Sequence, residues 1–282
     1  MNKKINILFM AGFPRSGSSL LANILAQNPK FYTTPTSGLV ASILSIKDNW
    51  KNNDIYRSNG EDYVYPKIKS MMKWMMLGFY YEQIERGVIP IDKNRMWTGH
   101  VDMLDKLLGS NYKIIFPIRN VVDCCISMER INRKGSLVNH GDNGDFIKEQ
   151  TTRGRAQNFL KDEGIFGLPL LYLRELMYRG ETDKLVVVPY NDLLKYPTQT
   201  LNKIHNDLNL PQFRYDFNNI KQVIVEQDLE HGFEPHSLHK ITEGKLLPPK
   251  PRYSGIFSDE DIAQLEETYK DITEFIVKNS IS

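Results

Sequence analysis

A short loop near the amino terminus, Gly12–Ser19, combines residue types that bind phosphate groups. Arg15 supplies a guanidinium that can contact two oxygen atoms at once. Gly17 lets the backbone approach an anion closely. Three hydroxyl groups add further donors: Ser16, Ser18 and Ser19. Residues of these types at this spacing predict an anion site.

The residues that flank this loop predict the structure that such a site needs. Residues 5–10 form an apolar run typical of a buried strand, and the apolar residues at 20, 21, 24 and 25 share one face of a helix. A helix that begins here presents free N–H groups around Ser16 to Ser19 to an anion. The loop differs from that of ATPases, because Ser18 replaces the phosphate-binding lysine and the cation, Arg15, lies inside the loop.

Three further candidates follow predicted strands: Lys93, Arg119 and Tyr190. In a parallel sheet, ligands bind at the carboxyl ends of the strands. Ser127 lies eight residues after Arg119, two turns along the next helix, so a hydroxyl and a guanidinium can bind one phosphate. A nucleotide hydrolase would carry a metal-binding carboxylate at such a position. The sequence therefore predicts a second anion site, separate from the loop.

Apolar runs alternate with helical segments along the chain, which predicts an α/β fold: a P-loop-like parallel sheet flanked by helices. The predicted strands cover residues 5–10, 88–91, 113–118 and 185–188, whereas Thr33–Gly38 has the composition of a polar loop. The length of 282 residues and a hydrophobic content of 41% fit a single domain, residues 1–282.

Composition bounds the function. A net charge of +2 gives no basis for predicting nucleic acid or membrane binding. The apolar segment Met71–Tyr81 is shorter than the roughly 20 residues that span a bilayer. Cys124 and Cys125 are adjacent, which excludes a disulfide framework and favours a reducing, cytoplasmic location.

Three motifs together resemble those of sulfotransferases that use 3′-phosphoadenosine 5′-phosphosulfate (PAPS). Residues 13–20 resemble the loop for the 5′-phosphosulfate. Residues 113–127 resemble the motif for the 3′-phosphate, with Arg119 and Ser127 as its ligands. Residues 187–193 resemble the strand that carries a tyrosine near the nucleotide, here Tyr190. The bacterial and tyrosylprotein-type branch is the most similar. It has a catalytic lysine 26 residues before the arginine, matching Lys93, and a late segment over the nucleotide, matching residues 237–241 with Ser237 and Lys240.

The resemblance implies transfer of a sulfuryl group from PAPS to a hydroxyl or amine of a small-molecule, carbohydrate or peptide acceptor, with PAP as the product. Arg15 and Lys93 would neutralise the charge that develops on the leaving oxygen. No metal is required, and the spacing of His231, His236 and His239 fits no zinc signature.

The sequence does not decide which residue acts as the general base. The glutamate of the tyrosylprotein branch is matched by Thr36, and the histidine of the cytosolic branch by Arg95; neither is a base. His100, seven residues after Lys93, and Asp92 are the remaining candidates. Two other functions stay open: an ATP- and Mg²⁺-dependent phosphotransferase, and a protein that binds PAPS or PAP without turnover.

Overall fold

A computed structural model of the chain describes residues 6–135, 151–231, 233, 238–252 and 254–281. Its centre is a sheet of five strands: β1 (Leu8–Met10), β2 (Phe31–Thr36), β3 (Ile89–Lys93), β4 (Ile114–Ile118) and β5 (Leu185–Pro189). The strand order is β2-β3-β1-β4-β5, and all neighbouring strands are parallel. The predicted α/β class is confirmed.

Helices connect the strands and cover the sheet. The described α-helices are α1 (Ser18–Leu25), α2 (Leu39–Asn52), α3 (Asp54–Ser58), α4 (Glu61–Phe79), α5 (Tyr81–Glu85), α6 (Val101–Leu108), α7 (Val121–Lys134), α8 (Thr152–Leu160), α9 (Gly167–Tyr178), α10 (Tyr190–Lys195), α11 (Pro197–Asp207), α12 (Asp259–Thr268) and α13 (Lys270–Asn279). A 3-10 helix, Arg95–His100, follows β3. None of the described helices combines the length and apolar character that crossing a lipid bilayer requires.

Alternate strand residues enter two separate cores, because successive side chains of a strand point to opposite faces. Phe9 and Phe116 pack in the core on one face, whereas Met10 and Ile115 pack in the core on the other. Burial on both faces explains why these strands appear in the sequence as continuous apolar runs.

The edge strand β2 was not predicted. Its residues include Thr33, Thr34 and Pro35, which have the composition of a loop. The strand is possible because proline, which lacks an N–H, is tolerated at a sheet edge, and the pairing with β3 is irregular between Thr33 and Thr36. The Thr34 hydroxyl also accepts a hydrogen bond from the backbone N–H of Lys93, at 3.0 Å.

Candidate functional site

A cavity of about 1250 Å³ opens at the carboxyl ends of the strands. Its described lining includes ten lysine or arginine side chains but only two carboxylates, although the whole chain is nearly neutral. Positive charge is therefore concentrated here, as an anionic ligand requires.

The loop between β1 and α1 forms one wall of the cavity, as predicted. Gly17 is the N-cap of α1 with a φ of 95°, and no side chain caps the helix. Helix geometry leaves the N–H groups of Ser18 and Ser19 without intrahelical acceptors, and both residues line the cavity. A Cβ on Gly17 would lie 2.5 Å from Cδ2 of Tyr190, so only glycine fits between the ring and the loop.

Arg15 crosses from this loop to two distant segments. Its φ of 64° is unusual for a residue with a side chain and places strain at the site. Its Nε donates to Oγ of Ser127 at 3.1 Å, and its Nη1 donates to the carbonyl of Leu238. Burial lowers the pKa of Arg15, and the charge of Arg119 lowers it further. The guanidinium groups of Arg15 and Arg119 are therefore close enough to repel each other.

Ser16 differs from the expectation for this loop. Its hydroxyl donates to the carbonyl of Phe13 at 2.7 Å, and its backbone N–H is directed to the same oxygen at 3.2 Å. The residue is buried and does not line the cavity. Ser16 therefore holds the loop in shape, and its donors are not available to a ligand in this conformation.

Arg119 follows β4 and faces the same cavity. Its guanidinium lies over the ring of Tyr190, 4.6 Å from the centroid, and its buried Nε finds no hydrogen-bond partner among the described residues. Asp123 is 4.0 Å from that Nε and is more closely engaged by Arg252, at 2.7 Å. A buried donor without a partner carries an energetic cost that an anionic ligand would remove.

Lys93, at the end of β3, is buried and forms an ion pair with the equally buried Glu226. Burial raises the pKa of Glu226, but the charge of Lys93 and hydrogen bonds from Lys93 and Thr36 outweigh it, so the pKa is lowered overall. Glu226 thus brings a carboxylate beside Thr36, the position at which the sequence has no glutamate.

Glu226 belongs to a covering segment, which we define as residues 220–244. Its ends are joined by two backbone hydrogen bonds of 2.8 Å between Ile220 and Gly244. Asn23 of α1 anchors it through its Oδ1, which accepts from the backbone N–H groups of Val223 and Ile224 at 2.7 and 3.0 Å.

A histidine and an aspartate of this segment form a dyad that sequence reasoning missed. His239 Nδ1 lies 2.6 Å from Asp228 Oδ1, and the other carboxylate oxygen of Asp228 accepts the backbone N–H groups of Leu238 and His239. His239 Nε2 lies 3.4 Å from Oε2 of Glu226. Burial lowers the pKa of His239 and the charge of Lys93 lowers it further, an effect that the two carboxylates only partly offset.

The two base candidates from the sequence lie elsewhere. Asp92 is fully buried on the core side of β3, where it accepts hydrogen bonds from Tyr80 and from Trp97 Nε1, the latter at 2.7 Å. His100 ends the 3-10 helix and does not line the cavity; its ring packs 6.3 Å from that of Tyr172. The geometry does not support His100 as a catalytic residue.

The late segment is partly described. Lys240 is exposed and lines the cavity, as expected of a residue that contacts a nucleotide. Ser237 and His236 lie outside the described residues. The described residues contain no group of three or more His, Cys, Asp or Glu side chains arranged to hold a metal ion.

Comparison with protein families identifies the class. A family model described as the sulfotransferase family matches residues 8–214 of the chain. The protein therefore belongs to the sulfotransferase family, and the matched region contains Arg15, Lys93, Arg119, Ser127 and Tyr190. No curated protein sequence matches the chain significantly.

Several sulfotransferases are among the solved structures that resemble the chain. The sulfotransferase domain of the Synechococcus PCC 7002 olefin synthase is 19% identical, covers 96% of this chain and 97% of its own, and gives a TM-score of 0.49. The domain from the curacin biosynthetic pathway is 16% identical, with coverages of 94% and 97% and a TM-score of 0.48. Mouse sulfotransferase SULT7A1, solved with PAP, is 14% identical, with coverages of 100% and 88% and a TM-score of 0.44.

Proposed function

We propose that this protein transfers a sulfuryl group from PAPS to a hydroxyl or amine of an acceptor. One observation carries the proposal: two arginines from different strand ends, Arg15 and Arg119, face one cation-lined cavity beside the free N-terminus of α1. PAPS carries anionic groups at both its 5′ and 3′ positions and so matches two separate anion sites.

The residues at the strand ends fit this donor. The N–H groups of Ser18 and Ser19 and the guanidinium of Arg15 suit the 5′ group, because they combine a helix terminus with a cation. The partnerless Nε of Arg119 suits the 3′-phosphate. Ser127 contacts Arg15 here, so it is positioned between the two anion sites and does not belong to the 3′ site alone.

Lys93 is suited to stabilise the negative charge that develops as the donor is cleaved. Its ammonium group is buried, and an electrostatic contact is stronger in such surroundings than in water. The ion pair with Glu226 fixes the position of this ammonium group before the reaction. PAPS, when bound, supplies the sulfuryl group and leaves as PAP.

His239 is our candidate for the general base, in place of His100. A neutral imidazole can accept a proton from an acceptor hydroxyl, and the lowered pKa of His239 keeps it neutral near pH 7. Asp228 binds Nδ1 and thereby leaves Nε2 as the proton acceptor, on the side where Glu226 and Lys93 lie.

Nucleotide binding tests the donor assignment. We expect PAP to raise the thermal midpoint of the protein without Mg²⁺, because a ligand that binds only the folded state stabilises it by mass action. Adenosine 5′-phosphosulfate, which lacks the 3′-phosphate, should stabilise it much less. A shift with ATP and Mg²⁺ but none with PAP would favour the phosphotransferase alternative and overturn the proposal.

Turnover separates an enzyme from a binding protein. The protein is incubated with PAPS and a mixed pool of phenols, sugars, lipids and tyrosine peptides, and PAP release is followed. We expect acceptor-dependent release. A protein that is stabilised by PAP yet releases none with any acceptor would be the non-catalytic binding protein.

A further inference from the structure

Arg95 lines the cavity but lies beyond the residues that suit the donor. It is the first residue of the 3-10 helix after β3, two residues past Lys93. The turn before it is fixed by Asn94, whose side chain donates to the carbonyl of Ser37 at 2.7 Å and accepts from the N–H of Met96 at 2.9 Å. The backbone that carries Arg95 is therefore held in place before any ligand binds.

The guanidinium of Arg95 has no partner among the described residues: it forms no side-chain hydrogen bond or ion pair with them. It is exposed to the cavity, and partial loss of contact with water lowers the pKa of its guanidinium. An arginine that is open to a ligand and unpaired is arranged to bind an anion.

The strand order separates Arg95 from the donor site. Arg119 and Tyr190 follow β4 and β5 on one side of β1, whereas Lys93 and Arg95 follow β3 on the other side. With the donor on β1, β4 and β5, the acceptor must approach from the β3 side, where Lys93 lies. Arg95 is thus on the acceptor side of the cavity.

Apolar side chains surround this part of the cavity. The 3-10 helix packs against α9, since Gly99 leaves no space for a Cβ beside the ring of Tyr172. This contact brings Ile165, just before α9, and Leu168, in its first turn, to the same lining as Met96. The wall therefore places this guanidinium beside apolar side chains.

We propose that Arg95 binds an anionic group of the acceptor, so that the preferred acceptor is a small hydroxylated compound that has an apolar body and also carries a carboxylate or phosphate group. This proposal rests on the proposed sulfuryl transfer, because it takes the donor site to be occupied by PAPS or PAP. Arg95 would then select the acceptor through its anionic group, without touching the donor.

Binding to the PAP-saturated protein tests the anion site without turnover. Benzoate and phenyl phosphate are the anionic probes, and benzamide is the neutral probe of similar shape. We expect a further rise in the thermal midpoint with an anionic probe and none with benzamide, and the larger rise of the two identifies carboxylate or phosphate as the preferred group. Arg95→Gln should lose this second rise and keep the rise caused by PAP.

An exposed arginine outside the cavity provides the matched control. Arg86→Gln should retain both rises in midpoint, since Arg86 does not line the cavity. No anion-specific rise in the wild type, or an unchanged rise in Arg95→Gln, overturns the role of Arg95. A missing response to PAP itself contradicts the proposed function instead, so the two failures are distinguishable.

Turnover gives an independent readout. With PAPS as donor, para-hydroxybenzoate should exceed para-hydroxybenzamide in kcat/KM by about tenfold or more, the effect of one charge-assisted hydrogen bond. In Arg95→Gln this preference should disappear through a higher KM for the acid, with kcat nearly unchanged. Equal use of the two compounds by the wild type, or a preference for the amide, contradicts the proposal.

Discussion

The two halves of the candidate site are held in place by different means. Arg119 and Tyr190 directly follow strands of the buried sheet, and Arg15 lies in the loop that joins β1 to α1. The described residues of the covering segment form little regular structure, and their backbone N–H groups donate to the side chains of Asn23 and Asp228, which hold the segment in position. We therefore expect the strand-end residues to determine the affinity for the donor and the covering segment to determine the rate of turnover.

The largest effect is expected in the covering segment. His239→Ala should lower kcat by about 10²- to 10⁴-fold, the range for loss of a general base, with PAP affinity changed little. Steady-state kinetics with an identified acceptor and PAP titration measure the two quantities. A comparable loss of PAP affinity would contradict the separation of donor binding from turnover, because His239 would then be a ligand of the donor.

The pH profile sharpens this test. The base must be unprotonated, so kcat/KM should fall as the pH drops through the pKa of His239, which lies below the ordinary histidine value of about 6.5. Above that pH, kcat/KM should be constant with respect to this group. The acidic decline should be absent from the residual activity of His239→Ala; an unchanged decline would assign it to another group.

Lys93 lies where the two halves of the site meet. We expect its removal to cause the next largest fall in kcat. Lys93→Ala should lower kcat by about 10²- to 10³-fold, as loss of one preorganised donor does. The single variant also leaves the buried Glu226 carboxylate without its lysine partner, so the thermal stability of the variant must be measured as well. The double variant Lys93→Ala with Glu226→Ala should recover thermal stability without recovering kcat; recovery of both would make Lys93 structural.

Arg119 tests the donor half. Arg119→Ala should weaken PAP binding by about 2 kcal/mol or more, roughly 30-fold, because the 3′-phosphate loses a charged partner. Ser127→Ala should cost only about 1 kcal/mol, as for a neutral hydrogen bond. Calorimetric titration measures both. Unchanged PAP affinity in Arg119→Ala would remove Arg119 from the donor site.

The smallest expected effect is an increase in PAP affinity, not a loss. Glu226→Gln removes a negative charge near the site of an anionic ligand, so PAP should bind about threefold to tenfold more tightly. Asp207→Asn, on the surface of α11, is the matched control and should leave PAP affinity unchanged. Weaker PAP binding in Glu226→Gln would show that Glu226 supports the donor site through Lys93.

The same contrast explains how much the sequence could predict. The loop at residues 12–19, and Arg119 with Ser127, are short motifs whose flanking apolar runs identify their strands and helices, so local patterns suffice. The dyad of Asp228 and His239 depends on contacts between irregular, polar stretches with no periodicity. His239 belongs to the late segment of the family resemblance, but nothing in the sequence pairs it with Asp228.

Three smaller differences between prediction and structure have local causes. The edge strand β2 is polar because only one of its sides pairs with another strand, so its composition is that of a loop. The inward direction of Ser16 depends on the Phe13 carbonyl, whose orientation follows from the backbone of the loop and not from residue types. His100 was placed at the site by its distance along the chain, but the 3-10 helix directs it to α9 instead.

The two faces of strand β3 limit which mutations this protein can accept. Asp92 and Lys93 are consecutive, and their neighbours on β1 are Phe9 and Met10, which belong to different cores. Tyr80 and Trp97 donate hydrogen bonds to the carboxylate of Asp92, whereas Glu226 forms an ion pair with Lys93. An inserted or deleted residue in β3 would exchange the two faces and bury a lysine among aromatic rings. This strand can therefore accept substitutions but no change of length, and any loss of its alignment should remove the fold and the activity together.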